Sequence, residues 1–157
     1  MAIADLIDLI GTLVATGTGA WLGYVLAGRQ ERTREARLHV ALRKALLAEV
    51  EENALQAKIY PEQPVLGTAY RLGTMVYESS FPTLIGSGKL SPEGVRAILA
   101  FYSLVRQVNW CLDEIHRHVL ENDLPAANRE AERFRGKLEE MKSPESRYYS
   151  PAAQALQ

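Results

Sequence analysis

Apolar residues recur every three or four positions along most of this chain, the spacing of one face of an α-helix. Leu38, Leu42, Leu46, Val50 and Ala54 form one such stripe, with Ala57 beside it. Ile98, Phe101, Val105, Val108, Leu112, Ile115 and Val119 form a second, the clearest helix-packing seam in the sequence. Ala127, Ala131, Phe134, Leu138 and Met141 form a third. No stretch alternates with the period of two that a half-buried strand needs, so the pattern predicts an all-α fold.

Punctuation divides the helices. No proline occurs before Pro61, and 29–57 is rich in Ala, Leu, Arg and Glu, so one long helix is expected to run up to "YPEQP". A shorter helix is expected over Val65–Ser79, with Ala69, Leu72 and Val76 inward, followed by an irregular but apolar stretch through Phe81, Leu84, Ile85 and Leu90. Ser91-Pro92-Glu93 reads as a helix start, with a serine cap, proline in the first turn and an acid at the positive end of the dipole. "ENDLP" ends that helix, and Asp123 is placed to cap the next one. The last stretch, 143–157, has two prolines, scattered serines and no period, and is expected to be a disordered tail.

The N-terminus breaks the pattern. Twenty residues from Leu9 to Gly28 carry no charge, enough for a helix of about 30 Å, the thickness of a bilayer's hydrocarbon core. A cleaved signal peptide would open on a basic region; this one opens on Asp5 and Asp8 and has no Lys or Arg before Arg29. A buried core helix is the other alternative. The expected organisation is a transmembrane anchor (1–28), a cytosolic bundle of about four helices (29–142) and the tail (143–157). Arg29, Arg32, Arg34 and Arg37 follow the apolar run, so the positive-inside bias orients the C-terminal part to the cytosol and the short N-terminus outward, in the cytoplasmic membrane. Along the apolar run Gly11, Ala15, Gly19, Gly23 and Ala27 recur at every fourth position, flanked by Thr12 and Thr16. Such a ridge of small residues suits close helix–helix approach in lipid, and a homo-oligomer is expected.

Composition narrows the function classes. Eighteen basic against nineteen acidic residues leave a net charge of −1, so no basic field points to nucleic acid. The lone Cys111 excludes an internal disulfide and agrees with a reducing compartment. "GSGK" at 86–89 is too short for a phosphate-binding loop and reads as a turn. Cys111, Glu114 and His118 share a helix side, but without a second ligand pair they read as a polar flank beside a small thiol, not a metal site, and no cofactor is expected. Trp110 lies off the seam and is expected to be covered by the chain's own helices.

Four polar residues lie close to the seams: Glu49 and Asn53 one turn apart on one helix, Tyr102 and Asn109 one heptad apart on another. A buried amide without partners costs about 1–3 kcal/mol, so a hydrogen-bond network fixing helix register is expected, with a ligand or partner contact as the alternative. The strings "ALLAEVEENALQ", "YRLGTMVYESSFPTLIGSGKLS" and "LAFYSLVRQVNWCLDEI" resemble a widespread set of small, uncharacterised bacterial membrane-anchored helical proteins with an E-x-x-x-N helix, a G-x-L segment and an F-Y helix carrying an asparagine two turns on. The matching positions are Glu49, Asn53, Gly88, Leu90, Phe101, Tyr102 and Asn109, within 45–114. The resemblance implies membrane anchoring and a helical cytosolic part, and no activity. The expected function is a membrane-tethered interaction or scaffold module, not an enzyme, with membrane lipid, further copies of itself and a cytosolic protein as partners. The alternative is a membrane-perturbing effector of the toxin or defence type, against which the apolar run offers no polar face beyond its threonines.

Overall fold

The computed structural model describes residues 3–60, 71–142 and 146–157, apart from the side chains of 3–23, 25, 26 and 142. The regular structure there is helical: α1 (Ile3–Ile59), α2 (Met75–Gly86), α3 (Pro92–Leu120), α4 (Leu124–Lys142) and α5 (Tyr149–Leu156). The fold is all-α. Two compact units divide it, Met1–Val40 and Ala41–Gln157, and α1 belongs to both. Among the described residues no helix is long and apolar enough to cross a membrane. The single transmembrane helix expected over Leu9–Gly28 is therefore not found there, and the ridge positions Gly11, Ala15, Gly19 and Gly23 lie outside the described side chains. Ala27 is exposed.

In the second unit α3 is the central element, in contact with both α4 and α5. Its start follows the sequence signal: Ser91 Oγ accepts from Gly94 N–H at 3.0 Å and Pro92 occupies the first turn, where its missing N–H costs nothing. At its end Asn122 adopts φ 59°, a left-handed conformation that asparagine tolerates better than most residues. Asp123 Oδ1 then accepts from Ala126 N–H at 3.1 Å and opens α4. Ile98, Phe101, Val105 and Val108 are fully buried against Leu46 and Val50 of α1 and Leu138 and Met141 of α4, in one core. Each such side chain contributes about 1.5–3 kcal/mol of burial. Leu38 is half exposed and Val119 lies at the solvent edge, so both stripes run one position past the core.

Two expectations are corrected. The segment 71–74 is not helical, and α2 begins only at Met75, continuing through Pro82 to Gly86 where an irregular stretch was expected. Pro82 removes the N–H that would pair with the carbonyl of Glu78 and costs about 3 kcal/mol in a helix interior. Burial of Tyr77, Phe81 and Leu84 on the inner face offsets that cost, and Glu78 is exposed, where water can take its carbonyl. The expected disordered tail is also wrong for 149–156, which form α5 and bury Ala152, Ala153 and Leu156. Ser146 opens this helix: its hydroxyl donates to the Glu140 carbonyl and accepts from Tyr148 and Tyr149 N–H at 3.1 and 3.3 Å. Gly94 lets α5 approach α3 closely; a Cβ there would lie 3.1 Å from Ala155 Cβ.

Candidate functional site

Three of the four polar residues converge on one stretch of backbone, 72–77, which runs into the first turn of α2, and the fourth, Tyr102, bonds to one of the three. Asn53 Nδ2 donates to Gly73 O at 2.9 Å, and Gly73 N–H donates back to Asn53 Oδ1 at 2.8 Å. Asn109 repeats the arrangement one residue earlier, with Nδ2 donating to Leu72 O at 3.0 Å and Leu72 N–H to Oδ1 at 2.8 Å. A carboxamide carries a donor and an acceptor side by side, as a peptide group does, so each asparagine pairs with a residue as a neighbouring strand would. One amide comes from α1 and the other from α3.

Glu49 acts on the next turn. Its carboxylate accepts from Val76 N–H at 2.8 Å and Tyr77 N–H at 3.0 Å, two of the first N–H groups of α2 that lack helical partners. Thr74, at the N-cap position, makes no side-chain cap bond. The cap is supplied from α1, and the negative charge faces the positive end of the α2 dipole. Tyr102 Oη donates to the same carboxylate at 2.7 Å. The Tyr102 ring stacks on Tyr77, with centroids 3.9 Å apart and planes 14° from parallel, and Tyr77 stacks on Phe81 at 4.9 Å. Burial, and then the hydrogen bond to Glu49, push the Tyr102 phenol far above its ordinary range. Outside this set Arg71 forms an exposed ion pair with Asp113, and the Arg106 guanidinium lies over the Tyr77 ring at 5.7 Å.

The arrangement binds the chain to itself. The Glu49 carboxylate receives three donors, and both amides are used in pairs on backbone. What sequence reading missed is the target: a backbone segment has no side-chain signature. Tyr77, which completes the aromatic stack, was missed as well, because Tyr77, Phe81 and Leu84 have the three-to-four spacing of a helix but Pro82 obscured it.

The other candidates are not assembled into sites. Among the described residues no group of three or more His, Cys, Asp or Glu is placed to hold a metal. Glu114 is engaged by Arg117, whose hydrogen bond holds its carboxyl below the usual range. Burial pushes the Cys111 thiol up, away from a reactive thiolate. Trp110, expected to be covered, is 53% exposed at a hollow of about 330 Å³ between α3 and α4. The two cations at that hollow are occupied, Arg133 by Glu130 at 2.6 Å and Lys137 by Glu140 at 3.4 Å. Arg29, Arg32, Arg34 and Arg37 are all exposed on α1. Among the described residues no ion pair joins Arg34 or Arg37 to Glu31 or Glu35.

Comparison with protein-family models, curated proteins and solved structures finds no match to this chain. The resemblance of 45–114 to small membrane-anchored bacterial proteins thus carries no family assignment.

Proposed function

We propose that the chain is a single-pass, membrane-tethered helical interaction module without catalytic activity of its own. The observation that carries this reading is the uncharged run Leu9–Gly28 set directly before four arginines, within the uninterrupted span of α1. The run inserts in the cytoplasmic membrane, and the arginines hold the second unit in the cytosol. The small-residue ridge from Gly11 to Ala27 brings copies together, and the helical unit presents its surface to a cytosolic protein. The inward use of Glu49, Asn53, Tyr102 and Asn109 supports a scaffold: their hydrogen-bonding groups secure α2 instead of facing a cleft.

Flotation of the full chain with phosphatidylcholine vesicles tests the tether. The chain is expected to rise with the vesicles and to resist alkaline carbonate extraction; recovery in the soluble fraction would overturn the reading. A reporter active only outside the cytosol, fused after Gln157, is expected to stay silent, and an active intact fusion would reverse the orientation. Release of a trapped dye from the same vesicles would instead favour a membrane-perturbing effector.

A further inference from the structure

Several cations of the second unit are held in ion pairs: Arg96 with Glu93, Arg117 with Glu114 and Glu121, Arg133 with Glu130, Lys137 with Glu140. The run from Arg29 to Arg37 instead gathers four unpaired arginines within nine residues. Its four guanidinium groups have no ion pair or hydrogen bond among the described residues, although Glu31 and Glu35 lie within a turn of them. Glu31 and Arg34 have the i,i+3 spacing that pairs Glu93 with Arg96, yet their side chains do not meet, and the Arg29–Arg37 side carries no carboxylate. At 100° per residue the four arginines fan over roughly 200° of the circumference, and Glu31 and Glu35 share the opposite side.

Arg29, Arg34 and Arg37, with Gln30 and Thr33, line a hollow of about 380 Å³ on that basic side. The Thr33 hydroxyl closes its floor by donating to the Arg29 carbonyl at 2.9 Å, so its hydrogen is spent and the donors left to a ligand are guanidinium and amide N–H groups. Forked donors around an open hollow match the tetrahedral oxygens of a phosphate, which they bind by paired, charge-assisted bonds. Tyr24, 81% exposed, stands just over one turn before Arg29, where its ring can lie at headgroup level.

We infer that the Arg29–Arg34–Arg37 face of α1 is a binding site for the phosphate of an anionic phospholipid headgroup. The membrane-tether reading supplies the source of that phosphate; the site itself stands on the unpaired arginines. It gives the protein a preference for anionic leaflets that insertion alone would not.

The test titrates the full chain, in neutral detergent, with short-chain phosphatidylglycerol below its micelle-forming concentration. Short-chain phosphatidylcholine and inorganic phosphate are the comparison ligands. Saturable binding of phosphatidylglycerol is expected, with phosphatidylcholine and free phosphate each at least about tenfold weaker. The triple variant R29Q/R34Q/R37Q should lose about tenfold or more, since each guanidinium contributes charge-assisted bonds. R29K/R34K/R37K keeps the charge without the fork and should fall between. R96Q, which removes a cation elsewhere, should bind as the parent does. Equal binding by the triple glutamine variant, or equal affinity for phosphatidylcholine, overturns the site, and equal affinity for free phosphate overturns the lipid as its ligand. Failure of vesicle flotation with binding retained would remove the tether and leave the site standing.

Discussion

A polar group buried without a partner costs about 1–3 kcal/mol; Asn109 spares that loss on the N–H and C=O of buried Leu72, and Gly73 spares it on the buried Asn53 amide. Asn53→Ala and Asn109→Ala are each expected to destabilise the full chain by about 2 kcal/mol in urea unfolding. Because both hold the same few residues, losing one already loosens what the other grips, and the double variant should cost clearly less than the sum. Strict additivity would mean two independent contacts. Tyr102 gives a pH-dependent counterpart. Its phenol is raised in the folded chain, while the unfolded chain ionises near the ordinary value of about 10. Above that pH the folded state holds a proton that the unfolded state has released. Its contribution to stability is therefore complete below about pH 10 and falls as pH rises further. The stability advantage over Tyr102→Phe should shrink correspondingly in unfolding measured from pH 9 upward. These four residues could be picked from the sequence because polar side chains stand out on apolar seams. What they hold could not, since a bare backbone leaves no pattern to find.

The same limit governs the helices. α1, α3 and α4 announce themselves by period and by local signals at Ser91 and Asp123. The start of α2 does not, because its cap is Glu49, which precedes it by 27 residues relative to Val76. Local rules look for a cap beside the helix it serves. Pro82 completed the disguise, and removing it tests the account. Pro82→Ala restores a backbone donor at an exposed position and should stabilise the chain by about 1–2 kcal/mol, after allowing for the added freedom of the unfolded state. A loss of stability would show that the proline shapes the helix in some necessary way. α5 escaped notice because it is short and rich in alanine, and its place depends on room left by Gly94. Gly94→Leu should push α5 off α3, seen as fast hydrogen exchange over 149–156 while the Phe101–Leu112 core stays protected. Unchanged protection of α5 would mean that the contact is loose enough to absorb the side chain.

At the scale of the whole molecule, the all-α class followed from period alone, while the proposed anchor rests on composition: twenty uncharged residues and the arginines after them. The glycine ridge belongs to that level. If it joins copies, Gly19→Leu and Gly23→Leu keep the run apolar but insert bulk where backbones meet, and in-membrane crosslinking should drop strongly. Leu13→Ile and Leu22→Ile, off the ridge, should crosslink like the parent. If all four variants match the parent, the glycines are composition, and assembly belongs to the helices of the second unit or does not occur.

The two asparagine pairings have a practical consequence for how this chain can be cut. Since side chains from α1 and α3 hold 72–73 directly, α2 is expected to keep its place when the covalent link that precedes it is cut. A protease site inserted within 61–70 should be cleavable while the two products stay associated. Fragments ending at Tyr60 and beginning at Arg71, made separately, should reassemble on mixing. The protein would then serve as a split reporter whose halves recognise each other through the Asn53 amide, the Glu49 carboxylate and the core that α1 shares with α3.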